Sequence, residues 1–315
     1  MKYFSLLLLV SASFAADEFE WKESAPGQLD LMYGSAPVLR YMHAFDTSTP
    51  ELQHATYKVF HHVFGPTSGK VITKGPGGQY THHRGLYVGW NKTQTKDGSF
   101  DFWHCKSGAH LRHVKLIRNS GGQNGSMTAE IHWNDPDGKP VIVETRTVSV
   151  SVTDVGGSRA WVIDWSTSLE SKRGDINLRG DRQHAGFQFR ASQAVAEAKS
   201  ARYVRPTGFP EQTEAFQVGD KGDPPAHINL NWFSMNYPIE DSHYNIEYFE
   251  APGQPQPSLY SERPYGRFGA FYKADLKEGI PLKMTYRVIV SEGGVPRQAE
   301  IQGRYDSWVK SLKSR

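Results

Sequence analysis

The sequence predicts an all-β protein, a large antiparallel sandwich or barrel closed by a short C-terminal helix. Three observations carry this. Residues 125–171 alternate polar and apolar over long runs, the period-2 signature of strands. Turn chemistry interrupts those runs, as "DPDG" and "DVGG". Helical periodicity is scarce, and no alternating strand-helix pattern occurs.

The elements follow in chain order. Lys2, the apolar run "FSLLLLV" and the small residues Ser13 and Ala15 read as a signal peptide over residues 1–15. Residues 16–315 then form a single β-sandwich domain, expected to be secreted or periplasmic. Strand candidates are "QLDLMY", "PVLRYMH", "GLYVGW" and "HLRHVKLI". The meander comes next. Thr128, Glu130 and His132 alternate with Ala129, Ile131 and Trp133; then Ile142, Glu144, Arg146, Val148, Val150 and Val152 share one face, and "RAWVIDWSTSLE" runs back. Later candidates are "HAGFQFRA", "HINLNWFSMNY", "YNIEYFE", "RFGAFYKADL" and "LKMTYRVIVSE". Residues 207–227 form a long polar loop of the kind used as a lid or binding loop, and 250–258 a proline-rich surface loop. In the tail, Ile301, Tyr305, Trp308 and Leu312 fall at helical spacing, behind the break "EGGVP".

Composition excludes several classes. No run after the leader approaches the roughly 20 apolar residues of a spanning helix, so no transmembrane segment is expected. The net charge is +3 with no lysine or arginine block, which argues against nucleic acid. The single cysteine, Cys105, can form no internal disulfide and reads as a small buried hydrophobe.

Four stretches gather chemically useful side chains: His61 and His62; His82, His83 and Arg84; Asp101, Trp103 and His104; and Asp181, Arg182, His184 and Arg190. A histidine near its ordinary pKa can serve as acid or base at neutral pH, although an isolated one more often just hydrogen-bonds to the backbone. Glycines 77, 78 and 85 allow a loop that turns both rings of the His82–His83 pair to one pocket; if the strand begins earlier, one ring faces the core and only the other faces a site. No "HExxH", cysteine-pair, "GxSxG", phosphate-loop or dinucleotide motif is present. No metal ligands are therefore assigned, and a divalent metal gathered by scattered histidines such as His61, His82, His83 or His184 stands as an alternative. Asp164, Glu170, Asp181 and Glu247 are candidate bases, each more often a solvated or ion-paired residue. The "RGD" at 179–181 is read as a turn.

The pieces "HHVFGPTSGKVITK", "THHRGLYVGW" followed by "DFWH", "GDRQHAGFQFRA" and "RPYGRFGAFY" span most of the chain. In that order they resemble the secreted bacterial proteins of unknown function labelled PmoA-like, or "methane oxygenase PmoA". Where that pattern has Asp-His-Pro before the His-His-Arg-Gly core, this chain has Gln79, Tyr80 and Thr81. The resemblance implies a galactose mutarotase-like supersandwich in a setting of carbohydrate degradation. It implies catalytic roles for His82, His83 and His184, with Arg84 holding a sugar oxyanion and Trp103 stacking on a ring. Asp101, Arg182 and His61 are further substrate-binding candidates. The expected function is a secreted carbohydrate-active enzyme, a lyase, hydrolase or epimerase. The alternatives are a non-catalytic glycan-binding module and a metal-dependent enzyme with histidine ligands.

Overall fold

The computed structural model describes residues 17–181, 183–208, 213–214 and 228–314. The leader at 1–15, Arg182 and most of the loop at 207–227 lie outside the described residues.

The protein is built from antiparallel sheets, as expected. The first has eight strands, in the spatial order Phe19–Ala25, Gln28–Tyr33, Ala36–Met42, Phe60–Val63, Leu86–Trp90, Ala185–Arg190, Arg267–Phe271 and Leu259–Arg263. The second has nine, in the order Thr213–Glu214, Arg202–Val204, Trp232–Ile239, Ser242–Glu250, Leu282–Glu292, Ser158–Ser171, Pro140–Val155, Gly125–Asn134 and His110–Ser120. A small sheet of Ala274–Leu276, Ile176–Leu178, Thr93–Thr95 and Gly98–Phe100 flanks them.

The two large sheets face each other across an aromatic core. Phe187 of the first stacks on Tyr286 of the second at 4.7 Å between centroids and meets Trp165 at 4.8 Å. Phe268 meets Phe233 at 4.5 Å. Such ring pairs add packing energy beyond the area they bury.

Strict alternation along Pro140–Val155 turns Glu144 and Arg146 inward with Ile142, Val148 and Val150. Both charges are fully buried. Arg146 grips Glu144 with two bonds, Nε to Oε1 at 2.7 Å and Nη2 to Oε2 at 3.0 Å. The same carboxylate accepts from Trp133 Nε1 at 2.9 Å and Thr167 Oγ1 at 2.7 Å. Four donors on one carboxylate offset the desolvation that an inward charge incurs.

The C-terminal helix spans Gln298–Leu312 and lays Ile301, Tyr305 and Trp308 on the outer face of the nine-stranded sheet. They pack with Val162, Phe249 and Ile289. Arg304 Nε reaches the buried Glu247 at 2.9 Å, so Glu247 is an anchor for the helix. Two shorter helices, Pro50–Thr56 and Gln193–Ala198, were not expected. They are too short to show a helical period, although Thr49 and Pro50 form a regular N-terminus.

Two buried carboxylates give checkable outcomes. Glu144→Leu strands the Arg146 charge and is expected to cost about 3–5 kcal/mol in urea unfolding. The double variant with Arg146→Met should regain most of it; equal losses in both would show that the pair contributes only volume. Glu250 is buried, and that burial raises its pKa to about 7 against hydrogen bonds from Tyr260 and Ser258. A folded-state pKa above the unfolded value favours the protonated form. Stability from this group is therefore full below pH 4.5 and falls as pH rises toward 7. Glu250→Gln should flatten that decline by about 3 kcal/mol; unchanged slopes between pH 4.5 and 7.5 would rule it out.

Candidate functional site

Two glycines place the site. A Cβ at Gly89, in Leu86–Trp90, would lie 2.6 Å from the Phe102 carbonyl oxygen. Only glycine lets the Asp101–Cys105 segment lie so close on that strand. Gly186, at φ +79°, would set a Cβ 2.3 Å from the Ala270 carbonyl, and it lies two residues after His184.

These segments deliver matching units. Asp101 and Asp181 each stand three residues before a histidine. Asp101 Oδ1 accepts from the backbone N–H of Trp103 and His104, at 2.9 and 2.7 Å. Its other oxygen accepts from His104 Nδ1 at 2.8 Å. Asp181 Oδ1 accepts from the Gln183 N–H at 2.8 Å and from His184 Nδ1 at 2.7 Å. Asn91 donates to Asp181 Oδ2 at 2.7 Å. A carboxylate can only accept, so both rings donate from Nδ1, which leaves the Nε2 of each for another partner.

The two rings gather with that of His82. The ring centroids of His104 and His184 are 4.7 Å apart, those of His82 and His104 also 4.7 Å, and those of His82 and His184 6.4 Å. One nitrogen from each lies within 4.8 Å of the other two. All three rings are half-buried. Three nitrogens around a tetrahedral ion at about 2.1 Å would stand about 3.4 Å apart, so small ring movements close the cluster on an ion.

The electrostatics agree. Burial, then Lys58, His104, Arg190 and His184, push His82 down to about 2. It is a neutral imidazole across the working pH range, the form that ligates metals and not one that shuttles protons. Burial lowers His184 against the pull of Asp181. Burial opposes ionisation of Asp101, yet the hydrogen bonds from His104 hold it below its ordinary value. Non-glycine residues in the left-handed region flank the cluster, Tyr80 at φ 56° and Cys105 at φ 55°. For a bulky tyrosine that is uncommon, and such backbone is concentrated at functional sites.

The other expected residues fall elsewhere. His83 is buried, stacked on Tyr80 at 4.9 Å and edge-on to His82, and lies outside the cluster. The two terminal nitrogens of Arg84 are spent on the backbone. Its guanidinium donates to the carbonyls of Thr81, His83 and His54 at 2.6, 2.8 and 2.8 Å, stapling the histidine loop. Trp103 is fully buried and gives no open face for a sugar. His61 sits in the sandwich core between Tyr41 and Trp165, because alternation sends it inward and His62 outward. Asp164 pairs with Arg287. Arg182 lies outside the described residues. Cys105 is partly buried, and burial pushes its thiol up to about 12, which makes it inert. His104 was not among the catalytic candidates. The shared Asp-x-x-His spacing of "DFWH" and "DRQH" was the signal that pointed to it.

A cleft of about 970 Å³ opens beside His184, lined among others by Asn91, Lys92, Gln183, Phe271 and Lys273.

The chain matches, over residues 28–306, a family of unknown function, DUF6807, and belongs to it. No curated protein matches the sequence. Among solved structures it is similar to a candidate kojibiose phosphorylase from the human microbiome, at 10% identity and TM-score 0.31, over 88% of this chain and 32% of that one. The chain thus spans about a third of that protein's length. It is also similar to a galactose mutarotase related enzyme from Lactobacillus acidophilus, at 8% identity and TM-score 0.34, over 82% of this chain and 95% of that one.

Removing the Arg84 staple should loosen the histidine loop. Arg84→Met is expected to cost about 3 kcal/mol, since three charge-assisted bonds to backbone carbonyls are lost. A urea midpoint equal to that of the wild type would remove the stapling role.

Proposed function

We propose that the protein is an exported, metal-dependent enzyme acting on a carbohydrate, with His82, His104 and His184 holding one divalent transition ion such as zinc. One observation carries the metal reading: one ring nitrogen from each of three histidines converges, and carboxylates hold two of the rings through hydrogen bonds to Nδ1. That carboxylate–histidine arrangement is how proteins orient metal ligands. Three histidines with an open fourth position suit zinc, though imidazole also serves iron, nickel and copper. Bound there, the ion would polarise a substrate oxygen or activate water.

The chain's own residues supply the rest. Asp101 and Asp181 hold the tautomer and raise the basicity of the rings. The cleft beside His184 is lined by Lys92, Gln183 and Lys273, polar side chains that can hydrogen-bond a hydroxyl-rich ring. The resemblance to the PmoA-labelled secreted proteins supports the carbohydrate substrate and the exported setting. A metal-free reading is favoured only by the Asp181–His184 pair, which by itself could act as a proton-transfer dyad.

Elemental analysis of protein purified without chelator or histidine tag should find one transition ion per chain. His104→Ala and His184→Ala should lose it. Asp181→Asn should weaken it by about 10–100-fold. A metal-free wild type whose melting temperature is indifferent to added zinc, iron, nickel and copper would end this reading.

A further inference from the structure

The strands Ala185–Arg190 and Arg267–Phe271 pair so that Arg190 stands directly opposite Arg267. Directly opposed residues share a face, and like charges there repel. Each arginine is about 1% exposed. Arg267 lies over Phe271 at 5.3 Å and donates to Gln183 Oε1 at 3.3 Å. Arg190 lies over the Trp103 ring at 5.3 Å. Among the described residues, nothing accepts a hydrogen bond from its three guanidinium nitrogens. The Tyr87 hydroxyl approaches it without hydrogen-bond geometry. The buried Lys58, whose amine burial pulls down to about 7, lies over the same tryptophan and donates to the carbonyls of Trp103 and His82. No carboxylate among the described residues pairs with Arg190 or Lys58.

An unpaired guanidinium inside a protein is costly, and a sequence keeps such a cost where a ligand offsets it. The cleft beside His184 shows the same sign of charge. Lys92 and Lys273 line it, together with Arg179, which is paired with Asp275. Its carboxylate, Asp181, is already engaged by His184 and Asn91. Gln183 joins the two regions, since it lines the cleft and its amide oxygen accepts a hydrogen bond from Arg267. A ligand oxyanion that displaces this amide enters beside Arg267 and meets Arg190, which stands opposite it across the strand pair with no partner on its guanidinium nitrogens. A guanidinium fork suits two oxygens of one anion.

We infer that the substrate is an acidic sugar whose oxyanion, a carboxylate or a sulfate ester, is received by Arg190 and Arg267 through the cleft at Gln183. This deepens the carbohydrate reading above and rests on it. It moves the anion-binding role expected of Arg84 to Arg190.

The test is thermal unfolding of the full chain with D-glucuronate, D-galacturonate, glucose 6-sulfate and galactose 6-sulfate, against D-glucose and D-galactose at matched ionic strength. Wild type should show a saturable rise of about 5 °C with an acidic probe at 100 times its Kd, and none with the neutral parent. Uronate against sulfate then separates the two oxyanions. Arg190→Met should melt higher than wild type without ligand, because a buried unpaired charge is gone, and should lose the response. Equal behaviour of acidic and neutral probes in wild type overturns the inference, whether or not the variant folds. So does an Arg190→Met protein that melts lower and keeps the full response. Metal content measured on the same samples separates the two readings. A metal-free protein that still responds to acidic sugar fails the metal reading alone. A metal-loaded protein that does not respond fails this one alone.

Discussion

The site depends on two hydrogen bonds, from His104 Nδ1 to Asp101 and from His184 Nδ1 to Asp181. Without them each ring could rotate or change tautomer, and the convergence of ring nitrogens would be one arrangement among several. With them, the free nitrogen is decided before any ligand arrives. Each aspartate also accepts backbone N–H groups two or three residues ahead. One carboxylate thus shapes the turn and orients the ring that the turn carries. The third ring, His82, gets its place from the loop that Arg84 staples to the carbonyls of Thr81, His83 and His54.

The sandwich serves this site by bringing distant stretches side by side. Leu86–Trp90 pairs with Ala185–Arg190, which pairs with Arg267–Phe271. The loop before the first strand carries His82. The segment docked on it through Gly89 carries His104, and the loop before the second carries His184. Three stretches about 20 to 80 residues apart become neighbours because antiparallel strands stand about 4.8 Å from one another. The same pairing sets Arg190 against Arg267. The proposed metal ligands and the proposed anion receptor are two consequences of one register.

Charge is distributed in two ways across the layers. Between the sheets, Arg146 meets Glu144 and the charges are matched. On the other side of the eight-stranded sheet, Lys58 and Arg190 are buried with no matching carboxylate among the described residues. The first arrangement holds the fold together. The second is held in place by that fold at some cost to its stability, the trade that binding sites commonly make.

The sequence by itself determined the all-β architecture, the meander and the C-terminal helix. The reason is local: alternation and helical spacing are written in neighbouring residues, and the inward position of Glu144 and Arg146 could be read from the same alternation. The residues that the structure brings together, His82, Asp101, His104, Asp181 and His184, all fall in segments that stood out in the sequence. The tertiary structure alone decided their roles. His61 and His62 look equivalent in sequence, yet strand geometry buries one in the core. Arg84 looks like an anion anchor, yet three backbone carbonyls that no residue type reveals take up its donors. Arg190 looks like a strand residue until its register sets it against Arg267. Which side chains meet depends on strand order and pairing over long separations, and neither is encoded in any short stretch of chain.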